Sequence, residues 1–170
     1  ISGWDWGIFH YSIEESCFKN YLTDRGRPIL QGRIHTIKAF EPNKIYIGSD
    51  QGLTLFDPST QKYITTSYNR NNSSSLSDDF VYDILKDNEG GLWITTYFGG
   101  INYSNPNSSN FTIRHCATES ARGRIISKFH EDKNGDIFIG TDDGGLFIYN
   151  PIKDKCHRYT IDKSNPNLNI

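Results

Sequence analysis

The sequence predicts an all-β chain built from repeated units. Two observations carry that prediction: apolar residues alternate with period two and leave no helical stripe, and the same block of text returns at nearly constant spacing. The returning blocks are ISGWDWGIFHYSI from Ile1, IYIGSDQGLTLFDP from Ile45, LWITTYFGGINYSNP from Leu92 and IFIGTDDGGLFIYNP from Ile137. They close on Ile13, Pro58, Pro106 and Pro151, at intervals of 45, 48 and 45 residues. Units of this length with four short strands each are blades of a β-propeller. The predicted architecture is an arc of about three and a half four-stranded antiparallel blades, cut from a larger, seven-bladed propeller.

Each strand has a local reason. The leaders IHTIKAFEPNK, VYDILKDNEGG and ISKFHEDKNGD supply a first strand and a turn. In Asp87, Asn88 and Gly90, and again in Asp132 and Gly135, side chains that bond their own backbone precede a glycine free to take positive φ. The second strand is the most continuously apolar run, as Leu92, Trp93 and Ile94 illustrate, and belongs in the interior of its sheet. A Gly pair, Gly99–Gly100 or Gly144–Gly145, leads to a third strand that a proline ends, and a short fourth follows near Phe18, Tyr63, Phe111 or Cys156. The divisions are 1–25, the C-terminal half of a blade; 34–68, 80–115 and 125–160, one blade each; and 161–170, a connector. FEPNK lacks the Asp-x-x-Gly turn, so a looser first hairpin is expected. Trp93, Tyr46 and Phe138 share one slot and are expected to be core.

Composition narrows the function. Lys and Arg number 18 against 20 Asp and Glu, with net charge −2, which gives nucleic acid no clustered basic surface. No apolar run approaches the roughly 18 residues of a membrane span. Cys17, Cys116 and Cys156 lack metal-ligand spacing and read as small buried thiols rather than a zinc site. The Asp and Gly of the hairpins fit turns better than a calcium loop, which needs further oxygen ligands. His10, His35, His115, His130 and His157 fall at unrelated repeat positions, so no catalytic constellation assembles. No metal and no cofactor is expected.

The text D-x-x-G-x-[LI]-[WF]-I-[GT]-T, carried by DNEGGLWITT and DKNGDIFIGT, resembles the two-component regulator propeller repeat. The linkers YNRNNSSSLSDDFVY and KSNPNLNI are similar to that family's Ser/Asn-rich connector. Asp-box propellers are set aside, because Leu85 and His130 stand where a Ser or Thr is needed, and no Gly-His…Trp-Asp pair marks a WD blade. The resemblance implies the periplasmic sensor part of a Bacteroides-type hybrid two-component protein, non-enzymatic in this segment, with an oligosaccharide or other small ligand. The histidine kinase of such a protein lies outside this segment. It also implies further blades as partners. A second copy closing the arc is the other partner that the bare end faces would accept. The alternatives are a protein-interaction scaffold or a sialidase- or lactonase-type hydrolase.

Residues that break the repeat are the candidate ligand contacts, since loops carry function more often than strands. Between second and third strands these are Trp4, Asp5 and Trp6; Asp50 and Gln51; Tyr97 and Phe98; and Asp142 and Asp143. Aromatic rings beside carboxylates suit sugar rings, and Arg122 with Arg124, on a blade linker, could hold an acidic group.

Overall fold

The computed structural model describes residues 7–21, 23–24, 27–28, 30, 32–108, 110–114, 116, 125–142 and 144–159. All regular structure among them is β. Strands β1 (Ile8–Ser12) and β2 (Cys17–Tyr21) form a hairpin, and β3 (Thr23–Asp24) and β4 (Arg27–Pro28) a second, minimal one. Three four-stranded antiparallel sheets follow, each in simple sequential order. Blade I holds β5 (Ile34–Glu41), β6 (Lys44–Ser49), β7 (Gly52–Asp57) and β8 (Lys62–Thr66). Blade II holds β9 (Val81–Lys86), β10 (Leu92–Thr96), β11 (Gly100–Ser104) and β12 (Phe111–Arg114). Blade III holds β13 (Ile126–Glu131), β14 (Ile137–Thr141), β15 (Gly145–Asn150) and β16 (Lys155–Arg158). The second strands β6, β10 and β14 are interior, paired on both sides.

The apolar packing lies between units, because alternate side chains of each blade face opposite neighbours. Ile8 and Leu30 meet Ile47 and Phe56 of blade I. Tyr46 and Leu53, on the other face of that blade, meet Ile84, Ile94 and Phe111 of blade II. Trp93 and Ile101 then meet Ile137, Ile139, Phe147 and Tyr149 of blade III. Trp93 is 2% exposed, and its indole N–H donates to Asp87 Oδ2 at 2.7 Å, so the turn aspartate also satisfies the one polar atom of the buried ring. Phe138 differs from its counterparts and is only half-buried. It faces away from blade II, where the His130 ring is its aromatic neighbour, with centroids 6.4 Å apart.

The innermost strands are tied by a buried carboxylate. Asp83, 2% exposed on β9, accepts from Thr36 Oγ1 of β5 at 3.1 Å and from the Phe129 N–H of β13 at 3.3 Å. Lys38 and Lys128 place their ammonium groups 3.3 and 3.8 Å from it. One side chain therefore links three blades.

Two expectations are corrected. The first hairpin is tighter than the others: Glu41 pairs directly with Lys44 across Pro42 and Asn43, whereas five residues separate Lys86 from Leu92. Proline sets φ for the turn, Asn43 accepts φ 57°, and a register shift at Phe40 absorbs the change in length. An ion pair of Lys44 with Glu41 at 2.5 Å closes it, and Lys86 of blade II reaches the same carboxylate at 2.5 Å. The second correction concerns the thiols. Cys116 and Cys156 form a disulfide, with Cα atoms 5.4 Å apart, joining the chain just after β12 of blade II to β16 of blade III; Cys17 is free. A partner 40 residues away on the next blade leaves no short-spacing signature in the sequence. Asp87 and Asp132 are turn residues by their bonds: Asp87 Oδ1 accepts from the N–H groups of Glu89 and Gly91, and Asp132 Oδ1 from those of Asn134 and Asp136.

Candidate functional site

One backbone bond, repeated in each blade, brings the loops together. The first residue after the second strand donates to the residue just before the first strand: Asp50 to Arg33 at 3.1 Å, Tyr97 to Phe80 at 2.9 Å, and Asp142 to Ile125 at 3.1 Å. Each loop between second and third strands is thereby held against its own incoming linker. Loop and linker side chains share an end of the blade for that reason.

Between blades I and II this produces a cleft of about 240 Å³ lined by Arg33, His35, Asp50, Phe80, Tyr82, Tyr97 and Phe98. Asp50 Oδ2 accepts the Arg33 N–H at 3.0 Å, and Oδ1 lies 2.6 Å from His35 Nε2. The His35 ring stacks on Tyr82 with centroids 4.1 Å apart and planes at 16°. Tyr82 continues to Tyr97 at 5.4 Å, and Phe98 stands perpendicular to Tyr97 at 4.5 Å. Rings at several angles beside a carboxylate offer both apolar faces and hydrogen-bond acceptors. Burial, then the neighbouring Tyr97, raise the Tyr82 hydroxyl above its ordinary pKa, with Asp50 and Asp142 acting in the same direction and Arg33 against them. Tyr82 stays protonated and keeps a donor to offer.

The loop carrying Tyr97 and Phe98 is braced from below. Asn102, fully buried, accepts the Ser77 N–H at 2.9 Å and donates to Ser77 Oγ at 2.8 Å, while Ser77 Oγ lies 3.1 Å from Thr96 Oγ1. A Cβ on Gly99 would fall 2.1 Å from Ser77 Oγ and 2.8 Å from its carbonyl carbon, so only glycine lets the linker approach this closely. The Phe98 N–H donates to Asp78 Oδ2 at 3.0 Å. Phe98 itself is 73% exposed.

Of the residues singled out from sequence, Asp50, Tyr97 and Phe98 line this cleft. Gln51 is exposed in the two-residue turn beside Asp50, and Asp142 is exposed at the corresponding loop of blade III. Trp4, Asp5, Trp6, Arg122, Arg124 and Asp143 lie outside the described residues. Four lining residues were not anticipated: Arg33, His35, Phe80 and Tyr82. Their signal was present, since 33 and 80 are the linker positions that bond the loops, but it shows only once those bonds are known. Among the described residues no group of three His, Cys, Asp or Glu could hold a metal ion, and no helix is long and apolar enough to cross a membrane.

The stretch that builds most of the cleft is also the most recognisable part of the chain. Residues 75–98 match the family model described as two component regulator propeller. That segment is similar to the propeller repeat of this family. The matched segment contains Phe80, Tyr82, Tyr97 and Phe98. No curated protein matches the sequence. Among solved structures, the fold is similar to the extracellular domain assigned to the hybrid two component system BT3049 of B. thetaiotaomicron, with TM-score 0.72 and 22% identity over 85% of this chain and 21% of that one. It is also similar to the extracellular domain assigned to the one component system BT4673 of the same organism, with TM-score 0.73 and 19% identity over 92% of this chain and 22% of that one. PorZ, a surface component of the type-IX secretion system of Porphyromonas gingivalis, aligns with TM-score 0.66 and 13% identity over 93% of this chain and 25% of that one. The chain thus spans about a fifth to a quarter of the length of these structures, and the likeness is one of fold.

Proposed function

We propose that this chain is a ligand-recognition arc of an extracytoplasmic sensor propeller in a hybrid two-component protein, without catalysis of its own, and that its ligand is an oligosaccharide. The carrying observation is the cleft between blades I and II, where Tyr82, Tyr97 and Phe98 stand beside Asp50. A sugar ring has an apolar face for the aromatic rings and a rim of hydroxyls for the carboxylate. A volume of about 240 Å³ suits one such ring, with the rest of the ligand running along the open face.

Two further observations support the reading. The matched repeat and the similar extracellular domains of B. thetaiotaomicron favour a sensor. The Cys116–Cys156 bridge favours an oxidising compartment, since cytosolic thiols are kept reduced. In a Bacteroides-type cell envelope that compartment is the periplasm.

Calorimetric titration with maltotriose, cellotriose, xylotriose and mannotriose tests the proposal. Saturable binding of at least one, without product, weakened about tenfold in Tyr97→Ala and Phe98→Ala at unchanged melting temperature, is the expected result. Silence from all four sugars would overturn it. The exposed Phe98 also suits a protein-interaction scaffold, which aromatic substitutions at the same cleft would then reveal by loss of a protein partner rather than of a sugar.

A further inference from the structure

The three innermost strands share an irregularity. In β5 the register passes from Ile34 to Thr36, in β9 from Val81 to Asp83, and in β13 from Ile126 to Lys128. Each strand therefore carries one extra residue at the same level, and those residues are His35, Tyr82 and Ser127. A bulge bends the strand and re-aims a side chain that regular pleating would have sent into a neighbouring blade. The residue before each bulge is constant in character: Ile34, Val81 and Ile126. The bulged residue changes from imidazole to phenol to hydroxymethyl, and the residue after it from Thr36 to Asp83 to Lys128.

Two of the three bulged side chains enter the cleft. His35 is only 10% exposed and is fixed from two directions, by Asp50 at 2.6 Å and by the Tyr82 ring at 4.1 Å. Tyr82 spans from His35 to Tyr97. Ser127 instead turns back, donating to the Gly140 carbonyl of its own blade at 3.3 Å. A constant backbone thus presents a variable side chain at each blade step.

We propose that the bulged positions are the specificity-determining positions of this face. Tyr82 touches the bound sugar ring, and His35 is a positioning residue that sets the plane of Tyr82 and the orientation of the Asp50 carboxylate. The inference rests on the oligosaccharide reading of the cleft. The discriminating contacts are the Tyr82 hydroxyl and the Asp50 oxygens, which together select for the orientation of a ring hydroxyl.

The test measures affinities of the full chain for the same four trisaccharides, with melting temperature as the fold control. Tyr82→Ala should lose about tenfold or more for every sugar that binds. Tyr82→Phe keeps the ring and loses the hydroxyl, and should change the order of preference among the sugars. His35→Phe keeps the stack and loses the bond to Asp50, while His35→Gln does the reverse; each should lose several-fold, and neither should restore wild-type affinity. Ser127→Ala should leave binding within about twofold, since its hydroxyl bonds its own blade. Sugar binding that survives unchanged in the Tyr82 and His35 variants overturns this inference and leaves the proposed function standing. Absence of sugar binding in the wild type overturns both.

Discussion

Removing the Cys116–Cys156 bridge should destabilise the chain by about 4 kcal/mol. The bridge closes a loop of 40 residues, and loop-closure entropy for that length, released to the unfolded chain on reduction, corresponds to roughly 4 kcal/mol at 25 °C. Both cysteines also pack against the cluster built on Trp93 and Phe147, so their separation loosens the contact between blades II and III. With a urea dependence of about 2 kcal/mol per molar, the midpoint should fall by about 2 M. Urea titration followed by tryptophan fluorescence, with and without reductant, gives that shift directly. The double variant Cys116→Ser/Cys156→Ser should match the reduced wild type. Thiol titration of the unfolded, oxidised protein should find one free thiol, Cys17. Three reactive thiols, or coincident midpoints in the oxidised and reduced forms, would refute the bridge.

Other perturbations test the packing and the charges. Asp83→Ala leaves the Phe129 N–H without its acceptor and removes the shared partner of Thr36, Lys38 and Lys128, and should cost about 1 to 3 kcal/mol in chemical denaturation. Trp93→Ala empties the largest site between blades II and III and should cost about 3 to 5 kcal/mol; a loss under about 1 kcal/mol would remove it from the core. Lys44, then Lys86, hold the Glu41 carboxyl at about 2 in the folded chain. A depressed carboxylate stabilises the fold above its unfolded pKa of about 4.3, and that contribution disappears as pH falls toward 2. The difference in urea midpoint between wild type and Glu41→Gln should therefore be largest near neutral pH and shrink between about pH 5 and pH 2.

Much of the architecture was legible because each blade declares itself locally. Asp87 and Asp132 mark their hairpins, and Trp93 and Ile94 alternate across a strand covered on both faces. What stayed hidden depends on contacts between repeats. Nothing near Cys116 announces Cys156, because the bridge follows blade stacking rather than chain proximity. In Pro42 and Asn43 an alternative turn chemistry was readable, yet the compensating shift at Phe40 belongs to the pairing with β6. The cleft shows the same division. Asp50, Tyr97 and Phe98 were visible as loop residues that depart from the repeat, whereas His35 and Tyr82 sit inside strands and read as ordinary members of an alternating pattern. A one-residue bulge is invisible to that pattern, although it decides which way the side chain turns.

The separation of the apolar packing into three clusters, each confined to one pair of neighbours, makes the chain quasi-one-dimensional in its energetics. Cooperativity then passes from blade to blade through nearest-neighbour contacts, and Asp83 is the side chain that joins blade II to both of its neighbours. Blade II, covered on both faces, is the foldon whose amides should exchange most slowly, while the Ile8–Tyr21 hairpin opens at a fraction of the global free energy. The cleft lies against that slow-exchanging unit on one side and blade I on the other. Ligand binding there would stiffen one particular joint of the arc, the I–II joint, and leave the II–III joint to its disulfide.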